Sequence, residues 1–211
     1  MYDKIFVIGF NKTATRSLHN LFVKNNLTSQ HTGSHWDLDS YQCFSDNGNF
    51  KNFKDLDEKY PNSIFILNTR KLNKWVISRF KHGLKVSLIT NKPNNWAWPY
   101  SNELATVWIN QREEFYFDIL EYFKDRPDKL IIASIEKPDW IPFVANQINL
   151  QNVVFPHQNV NKLTNQHDNI IDCVNQTFNT LNYDDVEKET VLFRDAEMTN
   201  KYTEIYINNI K

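Results

Sequence analysis

At 211 residues with 41% hydrophobic and 14% aromatic content, the chain is long enough to bury a sizeable core and has the length of one domain, residues 1–211. Four glycines and seven prolines exclude fibrous and low-complexity classes. A net charge of −1 without a basic block excludes a dedicated nucleic-acid binder, whose affinity rests on phosphate neutralisation.

The first element is an apolar run, Ile5 to Ile8, that stops at Gly9. A loop of hydroxyls and cations leads into helical apolar spacing at Leu18, Leu21 and Phe22, which predicts a helix over roughly 14–26. The polar stretch Thr28 to Gly48 has no sustained period and reads as a short strand near Gln30 to Thr32 followed by an irregular segment. A short helix is expected over Phe50 to Tyr60, ended by Pro61-Asn62-Ser63. Ile64 to Leu67 reads as a central strand covered on both faces. A helix follows from about Asn73, with Trp75, Val76 and Phe80 inward and Gly83 as terminator, and then a loop-like stretch from Ser87 to Tyr100 that holds Trp96 and Trp98. Ser101 caps a long helix to about Lys124, with Leu104, Trp108, Phe115 and Ile119 at helical spacing. Leu130 to Ala133 is a third strand, Asp139 starts a short helix to about Ile148, Val153 to Phe155 reads as another short strand, and a helix runs from Asp168 to about Leu181. From Tyr183 to the end, helix and edge strand fit equally. Repetition of strand, polar turn and helix is the unit of a parallel sheet, so the expected fold class is α/β, three-layer and P-loop-like, with a mainly parallel central sheet flanked by helices.

Cys43 and Cys173 have no partners at metal-ligand spacing and are expected to be free thiols in a reducing compartment. The chain reads directly into a strand and has no long apolar stretch, so neither a leader nor a membrane span is expected, and the location is expected to be cytoplasmic.

The turn after the first strand carries the chemistry. A helix start directs backbone N–H groups at one spot, and Asn11, Lys12, Thr13, Ala14, Thr15, Arg16 and Ser17 surround it, as an anion requires. A Walker A loop begun at Gly9 would need glycine at 14 and lysine at 15, where Ala14 and Thr15 stand. Here lysine comes three residues after the glycine instead. The run Lys12-Thr13-Ala14-Thr15-Arg16-Ser17 resembles the phosphosulfate-binding loop of the sulfotransferases, which holds the 5′-phosphosulfate of PAPS without a metal.

A second motif stands in the right order. In that family the 3′-phosphate of PAPS is held by an arginine at a strand end and a serine eight residues later. Arg70 follows the second strong strand, and Ser78 lies eight residues on. Arginine offers a planar fork to a phosphate, and the serine adds a hydroxyl donor. Phe155-Pro156-His157-Gln158-Asn159 is similar to the Pro-x-x-Asn segment of short bacterial-type members. The family's Arg-Lys-Gly signature is absent, with Lys162 as a substitute for it.

The resemblance implies in-line transfer of a sulfuryl group from PAPS to a hydroxyl or amine, leaving adenosine 3′,5′-bisphosphate, with no metal. Lys12 would face the leaving oxygen, and residues 11–17 would hold the 5′-phosphate. The proton acceptor is sought in the irregular stretch, in the order His35, His31 and Asp46. The acceptor is expected to be a small molecule or glycan, and nothing in the sequence selects between them. Two rival readings stay open: a P-loop kinase or NTPase, and a non-catalytic relative that binds nucleotide or polyanion.

Overall fold

A computed structural model describes residues 2–46, 50–92, 99–151, 167–183, 192–193 and 196–207. The expected strand Val153 to Phe155, the Pro156 to Asn159 segment, Trp96, Trp98 and Lys162 lie outside the described residues. The chain divides into two compact units, each discontinuous in sequence: Met1–Thr69 with Asp118–Gln158 and Asn200–Lys211, and Arg70–Phe117 with Asn159–Thr199.

The first unit is built on strands β1 (Ile5–Val7), β2 (Ser29–His31), β3 (Cys43–Ser45), β4 (Ile64–Thr69) and β5 (Leu130–Ser134). They form one sheet in the order β2-β3-β1-β4-β5, and every neighbouring pair is parallel. Side chains alternate across a strand, and here the two faces are chemically different. Ile5, Val7, Cys43, Ile64, Ile66, Ile131 and Ala133 form an aliphatic face. Helices α1 (Thr15–Lys24) and α5 (Trp140–Gln147) cover it with Leu18, Leu21, Phe22, Ile141, Val144 and Ala145. On the opposite face Phe44, Phe6 and Phe65 stand side by side in register, with ring centroids 5.3 Å apart at both steps. Trp36 and Tyr60 stack against this row, and Phe123, at the end of helix α4 (Asn102–Phe123), continues it 5.0 Å from Phe65. Helix α2 (Phe53–Lys59) adds Phe53 beside Phe123 and Tyr122. Helices on both faces of a parallel sheet make this the expected three-layer α/β arrangement.

A buried carboxylate ties α2 to the segment before β5. Asp57, with its side chain 3% exposed, accepts hydrogen bonds from Arg126 at 2.6 Å and Tyr122 at 3.1 Å and pairs with Lys129 at 2.9 Å. Burial opposes its ionisation, but the hydrogen bonds from Lys129 and Arg126 outweigh that and hold its pKa below the usual carboxylate value.

In the second unit, helix α3 (Leu72–Thr90) buries Trp75, Val76, Phe80 and Leu84. Phe80 meets Trp108 of α4 at 4.7 Å between centroids. Helix α6 (His167–Thr180) packs on α3, with Ile170, Val174 and Phe178 buried at four-residue spacing. Asn102 Oδ1 accepts from Thr177 Oγ1 at 3.0 Å and from Cys173 Sγ at 3.3 Å. Ser101 caps α4 as expected, accepting the Leu104 N–H at 3.2 Å.

The structure changes two expectations and decides a third. The irregular stretch contains β3, which the sequence reading left as loop. Gly83 does not end α3: it is buried inside the helix, which runs on through Ser87 to Thr90. Its C-cap is Asn91, in the left-handed conformation with φ 49°. The undecided tail contains a helix, α7 (Ala196–Ile207). Its Tyr202 is fully buried and its hydroxyl donates to Glu121. Both cysteines are free, as expected, and burial pushes the Cys43 thiol up to about 12.

Candidate functional site

The loop from Gly9 to Ala14 leaves the carboxyl end of β1 and enters α1. Gly9 is fixed by space: a Cβ there would lie 2.1 Å from the Asn68 carbonyl oxygen and 2.2 Å from Asn68 Oδ1. Only glycine admits that approach. The Gly9 N–H donates to Asn68 Oδ1 at 3.2 Å. The Asn68 amide nitrogen donates to the Thr13 carbonyl at 2.6 Å and to Thr13 Oγ1 at 2.7 Å. The Thr13 hydroxyl in turn donates to the Phe10 carbonyl. A single buried amide on β4 therefore holds both ends of the loop. The Thr13 hydroxyl, expected among the phosphate ligands, is committed to this internal network, so its side chain is a support and only its backbone faces the role assigned to it.

Lys12 and Ala14 both adopt left-handed backbone, with φ 69° and 65°. Such conformations cost non-glycine residues roughly 1–2 kcal/mol each and persist where the surroundings impose them. Ala14 occupies the N-cap of α1, so no side chain caps that helix, and its first turn contains no acidic residue. A cation, the exposed Arg16, stands there instead, with Lys12 in the loop before it. A helix start attracts anions and repels cations. Lys12 and Arg16 at an uncapped helix start favour an external anion.

The proton-acceptor candidates separate in space. His31 ends β2 and Asp46 follows β3, and their side chains meet: His31 Nε2 lies 3.9 Å from Asp46 Oδ2. His31 Nδ1 is hydrogen-bonded with Ser45 Oγ at 3.0 Å, and its ring stacks on His19 of α1 at 5.3 Å. His19 is itself hydrogen-bonded with Ser29 Oγ at 2.9 Å. Burial, then the charges of Arg16, His19 and Lys12, lower the His31 pKa to about 4. The imidazole thus lies within the field of the loop cations. His35 is exposed on a turn whose carbonyl accepts from Gln30 Nε2. Of the three candidates, the fold brings His31 and Asp46 together and leaves His35 apart from them.

In the second unit, Arg70 is half-buried directly before the Lys71 N-cap of α3, and Ser78 is half-buried within that helix. Arg79 stacks beneath Trp108 at 4.1 Å and Trp75 at 5.0 Å. Asn68 and His19 were not singled out by the sequence reading. The one local signal available for Asn68 is a polar residue directly after the apolar run Ile64 to Leu67, still inside the buried strand.

Among the described residues, no group of three or more His, Cys, Asp or Glu could hold a metal ion, and no helix is long and apolar enough to cross a membrane. No protein-family model matches the chain, and comparison with curated proteins finds no match.

Proposed function

We propose that this chain is a sulfotransferase that moves a sulfuryl group from PAPS to a hydroxyl or amine of a small molecule or glycan. The observation that carries the reading is the uncapped start of α1, where Lys12 and Arg16 replace the acidic residues a helix start favours. That arrangement fits a multiply charged anion, and the lysine three residues after Gly9 departs from the Walker A spacing of nucleotide triphosphate enzymes. Arg70 and Ser78 stand eight residues apart in the sequence, the spacing that the resemblance assigns to the 3′-phosphate of PAPS.

On this reading each residue has a chemical task. The amides at the start of α1, with Thr15, Arg16 and Ser17, hold the 5′-phosphate. Lys12 donates to the oxygen that bridged phosphorus and sulfur as negative charge collects on it, so its contribution is larger in the transition state than in the ground state. The acceptor oxygen forms a bond to sulfur, the bond from sulfur to the bridging oxygen breaks, and the acceptor proton passes to His31 Nε2. His31 with a pKa near 4 is neutral at pH 7 and ready to accept. An anion at the loop offsets Lys12 and Arg16, two of the charges that depress His31, and so strengthens the base when the donor is in place.

The test is thermal stabilisation by adenosine 3′,5′-bisphosphate against Mg-ATP and Mg-GTP, in the native protein and in Lys12→Ala. A ligand at 100 times its Kd adds about 2.7 kcal/mol, which for a chain of this size is a rise in Tm of roughly 5–11 °C. The bisphosphate should stabilise and Lys12→Ala should blunt the effect. A preference for Mg-ATP would replace this reading with a kinase or NTPase, and no response to any of the three would remove it.

A further inference from the structure

We propose that Arg112 is a positioning residue for the 3′-phosphate site, acting through Arg70, which rests on the reading of Arg70 given above. Arg112, on α4, is only 1% exposed. Its Nη2 donates to the Arg70 carbonyl at 3.0 Å, and its guanidinium lies over the rings of Tyr116 at 4.9 Å and Trp75 at 5.5 Å.

Burying a guanidinium strips it of hydration at a large cost, and a methionine would fill similar volume without that cost. The side chain therefore needs a reason beyond filling space, and the groups it touches supply one. Its donor ends on the carbonyl of Arg70, the residue assigned to the phosphate. Its flat face rests on Trp75, whose N–H closes the first turn of α3 on the Lys71 carbonyl at 2.8 Å. Arg112 thus fixes both the peptide that sets the direction of the Arg70 side chain and the first turn of the helix that carries Ser78.

Its charge has a second effect. Arg70, before α3, and Lys81, within it, are also cationic. Lys81 is held below its ordinary pKa by burial and by the charge of Arg70, with Asp168 opposing. Positive groups that face each other in this way draw a phosphate dianion. A guanidinium from α4 reinforces that field while staying out of reach of solvent.

The experiment is calorimetric titration of adenosine 3′,5′-bisphosphate and of AMP, which lacks the 3′-phosphate, into native protein, Arg70→Ala, Arg112→Met and Arg112→Lys. The quantity read is the preference for the bisphosphate over AMP. Native protein should prefer the bisphosphate, and Arg70→Ala should remove most of that preference. Since misplacing a binding group by about an ångström can cost up to 10²-fold, Arg112→Met should lower the preference about tenfold while AMP binding changes less than about twofold. Arg112→Lys keeps the charge but loses the fork and the stacking, and should lower the preference about threefold. If Arg112→Met does not fold, the Lys variant decides. An unchanged preference in a folded Arg112 variant, beside a loss in Arg70→Ala, overturns this inference. No preference in native protein overturns instead the assignment of Arg70 on which it rests.

Discussion

Replacing Asn68 with alanine removes the clamp that holds the anion loop. Three hydrogen bonds end on that side chain, from the Gly9 N–H and to the Thr13 carbonyl and hydroxyl, and Asn68 and Thr13 are both fully buried. Each such bond contributes about 0.5–1.5 kcal/mol net, and a buried polar group left without its partner costs about 1–3 kcal/mol. The Thr13 hydroxyl keeps its bond to the Phe10 carbonyl, so two groups are orphaned, the Gly9 N–H and the Thr13 carbonyl. The expected loss is about 2–6 kcal/mol, or roughly 4–24 °C in Tm for a chain of this length. Asn68→Asp keeps the acceptor for Gly9 but sets a carboxylate oxygen against the Thr13 carbonyl. At neutral pH it should therefore destabilise at least as much as alanine, and it should recover as acid protonates the new carboxyl. Thermal melts of both variants between pH 4 and 8 provide the check. A loss under about 0.5 kcal/mol for Asn68→Ala, the range of an ordinary surface substitution, would refute the clamp.

Two further outcomes follow from the same geometry. Gly9→Ala should destabilise by about 1–3 kcal/mol or more through overpacking. The double variant with Asn68→Ala should not recover, because the backbone oxygen 2.1 Å from the new Cβ remains; recovery in melts would show that the side chain alone sets the limit. His31 should titrate near 4 by NMR and rise when adenosine 3′,5′-bisphosphate binds. Because its folded value lies below the ordinary 6.5, the unfolded chain takes up the proton first as pH falls. Stability present at pH 7 is therefore lost between 6.5 and about 4, and His31→Gln should flatten that part of the urea-midpoint profile. A value of 6.5 or above in the free protein would contradict the placement of His31 beside the loop cations.

Strands β1, β4 and β5 were legible because each is a continuous apolar run, and the Gly9 to Ser17 loop because composition changes abruptly at its edges. β3 was not: three residues, Cys43-Phe44-Ser45, are too few to show a period, and the buried Ser45 breaks the apolar pattern. Gly83 misled because a glycine amid helical spacing signals an end, whereas here the missing side chain is accommodated in a buried helix interior. That His31 and not His35 meets Asp46 could not be read from spacing, since it depends on the parallel pairing of β2 with β3. Asn68 acts on Thr13 from 55 residues away, and no local pattern encodes such a pairing. Arg112 reaches Arg70 over 42 residues for the same reason.

The row of Phe44, Phe6 and Phe65 also guards against mispairing. Ladder hydrogen bonds repeat at each step along parallel strands, so they accept a shifted partner nearly as well as the correct one. A slip by one residue would push a phenylalanine among the close-packed methyl groups under α1 and α5 and leave an aliphatic gap in the aromatic row. Bulk on one face and its lack on the other make the wrong alignment unable to close. The sheet thereby checks its own assembly: Phe6 of β1 stands level with Phe44 of β3, Gln30 of β2 with the same Phe44, and β1, β2 and β3 each end one residue later, at Val7, His31 and Ser45.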